Sequence, residues 1–195
     1  AALLIAQNQD RELKAKLDTI IDALARCQEL NGGRWIGSIP EKYFEKLKKN
    51  EYIWSPQYTL HKTLLGLYHS ALYAKNQVAL EILGRAADWY LEWTEKMMQK
   101  NPHAVYSGEE GGMLEVWAGL YQLTEDERYL TLAQRYAHPS IFGRLADGED
   151  PLSNCHANAS IPWAHGAAKM YEITGDAAWL ELVKRFWQCA VSDRD

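Results

Sequence analysis

Three stretches of sequence decide the fold: AKNQVALEILGR at residues 74–85, TEDERYLTLAQR at 124–135 and TGDAAWLELVKR at 174–185. They recur at a spacing of 50 residues. A leucine, an isoleucine or leucine two residues later, and a final arginine occupy the same places in all three stretches. In each stretch the third residue is asparagine or aspartate, which are types that cap helix N-termini. Each stretch therefore predicts a tight turn that opens a helix, and the spacing predicts a repeated unit.

Apolar residues recur at helical spacing on both sides of these turns. Ser55 followed by Pro56 predicts a further helix start, because serine can cap a helix and proline suits its first turn. Residues 99–111 are predicted to form a loop and residues 139–158 a long irregular connection, and no strand is expected. We predict helices over residues 9–30, 41–49, 56–73, 76–98, 112–123, 126–137, 160–173 and 176–191.

The predicted unit is a pair of antiparallel helices followed by a long connection. Such a pair buries little surface alone, whereas stacked pairs share a core. An open solenoid and an (α/α) toroid both fit, and the long connections favour the toroid. A six-pair ring needs more helices than this chain supplies. The predicted class is therefore all-α, with helix-hairpin repeats forming part of an (α/α)6 toroid that is incomplete in this chain. Residues 1–195 are expected to be one helical domain within a longer one.

The start of the chain carries a weaker trace of the same repeat. Residues 6–9, AQNQ, resemble residues 74–77, AKNQ. Residues 1–6 are accordingly predicted to be the second half of a helix. The repeat phase also predicts that Tyr129 and Trp187 are packing residues.

Composition excludes several classes of function. The 195 residues carry 21 Lys and Arg against 26 Asp and Glu, a net charge of −5, which argues against nucleic acid as a partner. No apolar run approaches the ~20 residues of a membrane helix, so no membrane partner is expected. Three cysteines form no CxxC pattern, and Cys27 and Cys189 are predicted to be core thiols. The compartment stays open.

Polar and aromatic residues concentrate in the long connection before the first helix of each unit. Parallel inner helices would bring these connections to one rim, where indole faces can stack on a sugar and the polar groups can bond its hydroxyls. A carbohydrate is therefore the predicted partner. The predicted substrate-binding residues are Trp54, Tyr58, His61, Glu110, Gly112, Glu115, His156 and Asn158.

Most of these residues could also have a purely structural role, and the sequence leaves both the structural and the functional interpretation open. Tyr58 and His61 share a helix face, and acidic residues before a helix can simply complement its dipole. Glu115 lies among apolar residues, which favours a functional role. The imidazole one period later, His165, faces the same way. The other histidines, His69, His103 and His138, are predicted to be surface or turn residues.

Four motifs together resemble a known family. Residues 58–62 (YTLHK), 110–115 (EGGMLE), 148–150 (GED) and 156–158 (HAN) occur in the order found in the β-L-arabinofuranosidase families, glycoside hydrolase families 127 and 146. The resemblance extends over nearly the whole chain. It implies an (α/α)6 toroid with these loops around the sugar subsite, and activity on plant-derived glycans that contain arabinose.

The chain departs from the family in its catalytic motifs. The resemblance implies retaining hydrolysis by a cysteine nucleophile, held on zinc by a glutamate and further cysteines, with a glutamate acid/base. The Glu-x-Cys and Cys-Cys-Pro motifs that carry this chemistry do not occur in residues 1–195. No catalytic residue, metal ligand or cofactor is therefore assigned to this chain, and zinc is implied only for a full-length protein. Leu114 and Ala159-Ser160 also replace residues usual in the family.

Two other functions remain open at the level of sequence. The chain could be a non-catalytic carbohydrate-binding module that uses Trp54, His61 and His156. It could also be a helical scaffold for protein partners, in which case replacing the two histidines would change no function. In the first interpretation, a glycoside hydrolase, this chain alone is expected to be inactive.

Overall fold

A computed structural model describes residues 1–193, and within that range it contains ten α-helices and no strand. A 3-10 turn covers Pro102–Ala104 and a π-helical turn covers Gln188–Ser192. The α-helices are α1 (Ala2–Asn8), α2 (Arg11–Leu30), α3 (Lys42–Lys48), α4 (Pro56–Ala74), α5 (Gln77–Lys100), α6 (Met113–Thr124), α7 (Glu127–Arg135), α8 (Pro139–Ala146), α9 (Ala157–Thr174) and α10 (Ala177–Trp187).

Four tight turns fold eight of these helices into hairpins, as the repeat predicts. In each turn a left-handed residue ends the first helix, and the next residue caps the second helix with its side chain. The left-handed residues have φ between 52° and 68°. The residue pairs are Gln9-Asp10, Lys75-Asn76, Glu125-Asp126 and Gly175-Asp176.

The first hairpin turn lies two residues later than the sequence trace predicts. Gln9 corresponds to Lys75 and precedes it by 66 residues, whereas the later turns follow one another at intervals of 50 residues. The first unit is longer because residues 31–55, including α3, are inserted between α2 and α4. The prediction that residues 1–6 are helical is confirmed by α1.

The helices form two layers that follow the order of the chain. The first helices of the hairpins pack in sequence, α1 on α4, α4 on α6 and α6 on α9. The second helices α2, α5 and α7 pack behind them, and α10 packs on α9 and α8. The N-terminal ends of α4, α6 and α9 share one rim, as the predicted toroid portion requires.

An aromatic cluster fixes the inserted segment to the outer layer. Phe44 of α3 meets Trp35, Trp89 and Trp93 edge-on, with ring centroids 5.0 to 5.4 Å apart. Each edge-on pair contributes about 1 kcal/mol beyond the surface it buries. The cluster therefore holds the connection that leads to the rim in one position.

The structure corrects four sequence predictions. Residues 139–158 are not wholly irregular, because α8 occupies their first part and α9 begins at Ala157. Ser55 precedes α4 but its side chain does not cap the helix. Cys27 is exposed, whereas Cys189 is half-buried against the core. Trp187 is 63% exposed, although Tyr129 is buried as predicted. Among residues 1–193, none of the helices combines the length and apolar character needed to cross a bilayer.

Candidate functional site

Backbone hydrogen bonds join the start of α4 to the connection before α6. The carbonyl of Gly108 accepts the N–H groups of Gln57 and Tyr58 at 3.1 and 3.2 Å. These are N–H groups of the first helical turn, which have no partner within the helix. The loop carbonyl thus replaces the serine cap that the sequence predicts.

The side chain of Gln57 completes this junction, and sequence analysis missed it. Its amide nitrogen donates to the carbonyls of Val105 and Ser107 at 2.9 and 2.6 Å, and its oxygen accepts the Tyr136 hydroxyl at 2.8 Å. Gln57 has no solvent-exposed surface. One buried amide therefore ties three parts of the rim together. Nothing in the SPQY sequence distinguishes it from an exposed first-turn glutamine.

Two successive glycines let the rim close against the inner helices. A Cβ atom on Gly111 would lie 2.1 Å from the carbonyl oxygen of Ala159 in α9. A Cβ atom on Gly112 would lie 2.1 Å from Cε1 of His61 in α4. Because Gly111 and Gly112 have no side chain, the start of α6 can lie closer to α4 and α9 than any other residue type would permit.

His61, a predicted sugar-binding residue, is held against Gly112. Its side chain is 3% exposed, and its Nε2 atom has no hydrogen-bond partner among residues 1–193. Burial, with the nearby Lys62 charge, lowers the pKa of His61 to about 4. The imidazole is therefore neutral at pH 7 and carries both a donor and an acceptor nitrogen.

Glu110 lies beside these glycines and is also buried, at 3% exposure. Its Oε1 atom accepts the indole N–H of Trp163 at 3.2 Å. Burial raises the pKa of Glu110 to about 7, and the Trp163 hydrogen bond opposes this shift only in part. The carboxyl group thus titrates near neutral pH, which is typical of functional carboxyl groups in buried sites.

His138, predicted to be a surface or turn residue, is instead part of this cluster. Its Nδ1 atom accepts the N–H of Ile141 at the start of α8, which places the proton on Nε2, 4.0 Å from Oε1 of Glu110. Burial lowers the pKa of His138, so the pair is not an ion pair at pH 7. Its ring packs against those of Tyr106 and Trp163. The His138-Pro139 pair has the same pattern as Ser55-Pro56, and this signal could have located α8.

Glu115 lies one turn further along α6, on the inner face. Its Oε2 atom is 3.6 Å from Nδ1 of His165, which confirms that the two residues face the same way. A cavity of about 270 Å³ between α4, α6 and α9 is lined by Glu115, His69 and Tyr68, among others. Glu115 therefore lies near one imidazole and borders open space.

The other predicted residues lie apart from His61. Trp54 is 80% exposed on the connection before α4, and the Tyr58 ring lies 4.3 Å from the Lys62 ammonium group. His156 and Asn158 are exposed at the start of α9, and neither side chain makes a hydrogen bond within residues 1–193. The structure thus brings His61 to Gly112 and Glu110 to Trp163, and it places Trp54, Tyr58, His156 and Asn158 outside these two contacts.

The sequence matches a known protein family over its whole length. The sequence model described as β-L-arabinofuranosidase, GH127 catalytic domain, matches residues 1–195, the whole chain. The chain belongs to the GH127 family. No curated protein matches it. The match confirms the predicted family, its glycoside hydrolase class and the helical toroid to which these hairpins belong.

The motifs to which the resemblance assigns zinc ligands do not occur in residues 1–195 of this GH127 chain. No group of three His, Cys, Asp or Glu side chains within residues 1–193 lies close enough to hold a metal ion. The cysteines lie on α2, before α9 and after α10.

The buried carboxyl group predicts a pH-dependent stability of this GH127 chain. The pKa of Glu110 is higher in the folded chain than its ordinary value of 4.5, so its stabilising contribution is complete below pH 4.5 and is lost as the pH rises through about 7. Glu110→Gln removes this loss and keeps an acceptor for Trp163. We expect the free energy of unfolding of the variant, relative to that of wild type, to be about 3 kcal/mol higher at pH 8 than at pH 4.5.

Urea unfolding followed by circular dichroism at several pH values measures this difference. Trp163→Phe serves as a second variant, because it removes the N–H that favours the charged carboxylate and should make the loss of stability steeper. A difference between Glu110→Gln and wild type that stays constant with pH would show that Glu110 does not titrate in this range.

Proposed function

We propose that this chain supplies part of the sugar pocket of a β-L-arabinofuranosidase-like glycoside hydrolase that acts on arabinose-containing plant glycans. The chain contributes binding residues and no nucleophile, so it binds arabinose without hydrolysing arabinosides. The observation that carries the proposal is the contact between His61 and Gly112 at the rim of a GH127 domain.

The state of His61 supports a role in binding hydroxyl groups. A buried polar atom without a partner costs free energy, and a sugar hydroxyl that reached Nε2 would recover the missing hydrogen bond. Since the pKa of His61 is about 4, the ring stays neutral from pH 5 upward. Binding through His61 is therefore expected to vary little between pH 5 and pH 8.

The rim glycines support the same role. Because Gly112 has no side chain, the backbone leading into α6 lies directly against the imidazole. Glu115 and His165 border the inner face one turn beyond, where further hydroxyl groups could bond. Trp163 is held by Glu110, so its position depends on the buried carboxyl group.

Isothermal titration of the 195-residue chain with L-arabinose tests the proposal. We expect His61→Ala to lose at least tenfold in affinity, a free-energy change of about 1.4 kcal/mol. Leu65→Ala is the matched control, because Leu65 lies one turn along α4 and its truncation removes packing but no hydrogen-bonding atom. Circular dichroism confirms that both variants fold.

An assay with an aryl β-L-arabinofuranoside tests the absence of turnover. No release of the aryl group above the uncatalysed rate is expected. Release by this chain at a rate comparable with longer relatives would refute the proposal that it lacks the catalytic group. If wild type and His61→Ala bound L-arabinose with equal affinity, the proposal of a sugar pocket around His61 would be refuted.

A further inference from the structure

A second cavity lies beside the N-terminus of α4. It has a volume of about 550 Å³, within the range of small-molecule sites, and lies between the segment that follows α3 and the connection before α6. Trp54 lines it, whereas the other predicted sugar-binding residues, Tyr58, His61, Glu110, Gly112, Glu115, His156 and Asn158, do not. Its lining includes Asn50, Tyr52, Trp54, His103, Ser107 and Glu109.

Two large aromatic rings stand exposed at this cleft. Tyr52 is 89% and Trp54 is 80% exposed, although most other aromatic side chains of the described chain pack into the core. An exposed indole beside an exposed phenol is a costly surface for a protein to keep without a binding role. Both rings have polar edges that suit a wet ligand.

The walls of the cleft are fixed relative to each other. The amide of Asn101 donates to the carbonyl of Lys48 at 3.1 Å and to the side-chain oxygen of Asn50 at 2.8 Å. Helix α3, which ends at this wall, is anchored by the aromatic cluster around Phe44. The cleft is therefore formed before any ligand arrives, which reduces the entropy cost of binding.

The chemistry of the lining selects the class of ligand. It contains no lysine or arginine, and it includes the carboxylates of Glu51 and Glu109, which disfavour anionic ligands such as phosphates. Amide, imidazole and hydroxyl groups supply both donors and acceptors beside the two rings. This combination fits a neutral, polyhydroxylated molecule. Its wall also includes Gly108, the residue whose carbonyl bonds to the start of α4.

We propose that this cleft is a second saccharide subsite, which holds a sugar unit of a glycan chain outside the pocket around His61. The inference rests on the proposed function and extends it, because it makes the preferred ligand an oligosaccharide and gives Trp54 a role separate from that of His61. Continuity of the cleft with the rim favours a sugar over a cationic ligand, which carboxylates and aromatic rings could also bind.

Isothermal titration with L-arabinose and with arabinan-derived oligosaccharides of increasing length tests the subsite in the full chain. Wild type is expected to bind the longer oligosaccharides about tenfold more tightly than L-arabinose, and Trp54→Ala to remove this advantage while its L-arabinose affinity stays within about twofold. Trp187→Ala is the matched control, because Trp187 is an exposed indole on α10 far from the cleft along the chain. It should bind every ligand as wild type does.

The outcomes separate this inference from the proposed function. The subsite is refuted if oligosaccharides bind no more tightly than L-arabinose, or if Trp54→Ala weakens both ligands equally. It is also refuted if tetramethylammonium, and no saccharide, binds in a Trp54-dependent way. Oligosaccharide binding that depends on Trp54 but not on His61 would support the subsite and refute the pocket around His61.

Discussion

Replacing Gly111 with alanine is expected to lower the free energy of unfolding by about 3 kcal/mol, near the upper end of the usual cost of overpacking. The added Cβ atom would lie 2.1 Å from the carbonyl oxygen of Ala159, and 3.2 Å from the indole nitrogen of Trp163. The closer atom belongs to the backbone of α9 and cannot rotate away. Helices α6 and α9 would therefore have to separate at the rim.

Urea unfolding at pH 7 measures the cost, and Gly66→Ala is the matched control. Gly66 lies within α4, and a Cβ atom there would meet nothing within 4 Å. Since alanine favours a helix by up to about 1 kcal/mol over glycine, the control should be as stable as wild type or more stable. Equal stability of Gly111→Ala and wild type would mean that α9 does not approach the rim as closely as described.

Replacing Gln57 with glutamate should have a comparable effect through a different mechanism. The variant exchanges an amide that donates to the carbonyls of Val105 and Ser107 for a carboxylate that can only accept. A buried and a partly buried carbonyl lose their donor, and a negative charge is placed next to them. We expect a loss of about 3 kcal/mol in the free energy of unfolding at pH 8.

The pH dependence of this variant distinguishes charge from shape. The pKa of the introduced carboxyl group should be raised by burial, so part of the lost stability returns as the pH falls and the group regains a proton to donate. Gln57→Met has a similar shape and no charge, and its smaller deficit should not change with pH in this way. A Gln57→Glu deficit that is the same at pH 5 and pH 8 would contradict this account.

The hairpin repeat could be predicted from sequence because its signals are local. A capping Asn or Asp at the start of an apolar helical stretch is recognised without knowledge of the rest of the chain, and the 50-residue spacing then orders the helices. The inner positions of His61, Gly112 and Glu115 follow from that order. The family was likewise readable from four short motifs.

The contacts and the burial of the side chains at the rim could not be predicted in the same way. The role of Gln57 depends on three partners that lie 48 to 79 residues away in sequence. The burial of His138 depends on Tyr106, from the connection before α6, and on Trp163, from helix α9. The separation of Trp54 from His61 depends on the direction of the loop before α4. These are tertiary facts, and residue type alone does not encode them.

The 66-residue first unit has a consequence for protein engineering. Its additional segment leaves the scaffold after α2, returns at α4, and is fastened in between by Phe44. We expect a different loop to be tolerated between the same two ends if it keeps an aromatic side chain against the indoles of α5. The ligand preference of the cleft could then be changed while the helical hairpins that support the segment stay the same.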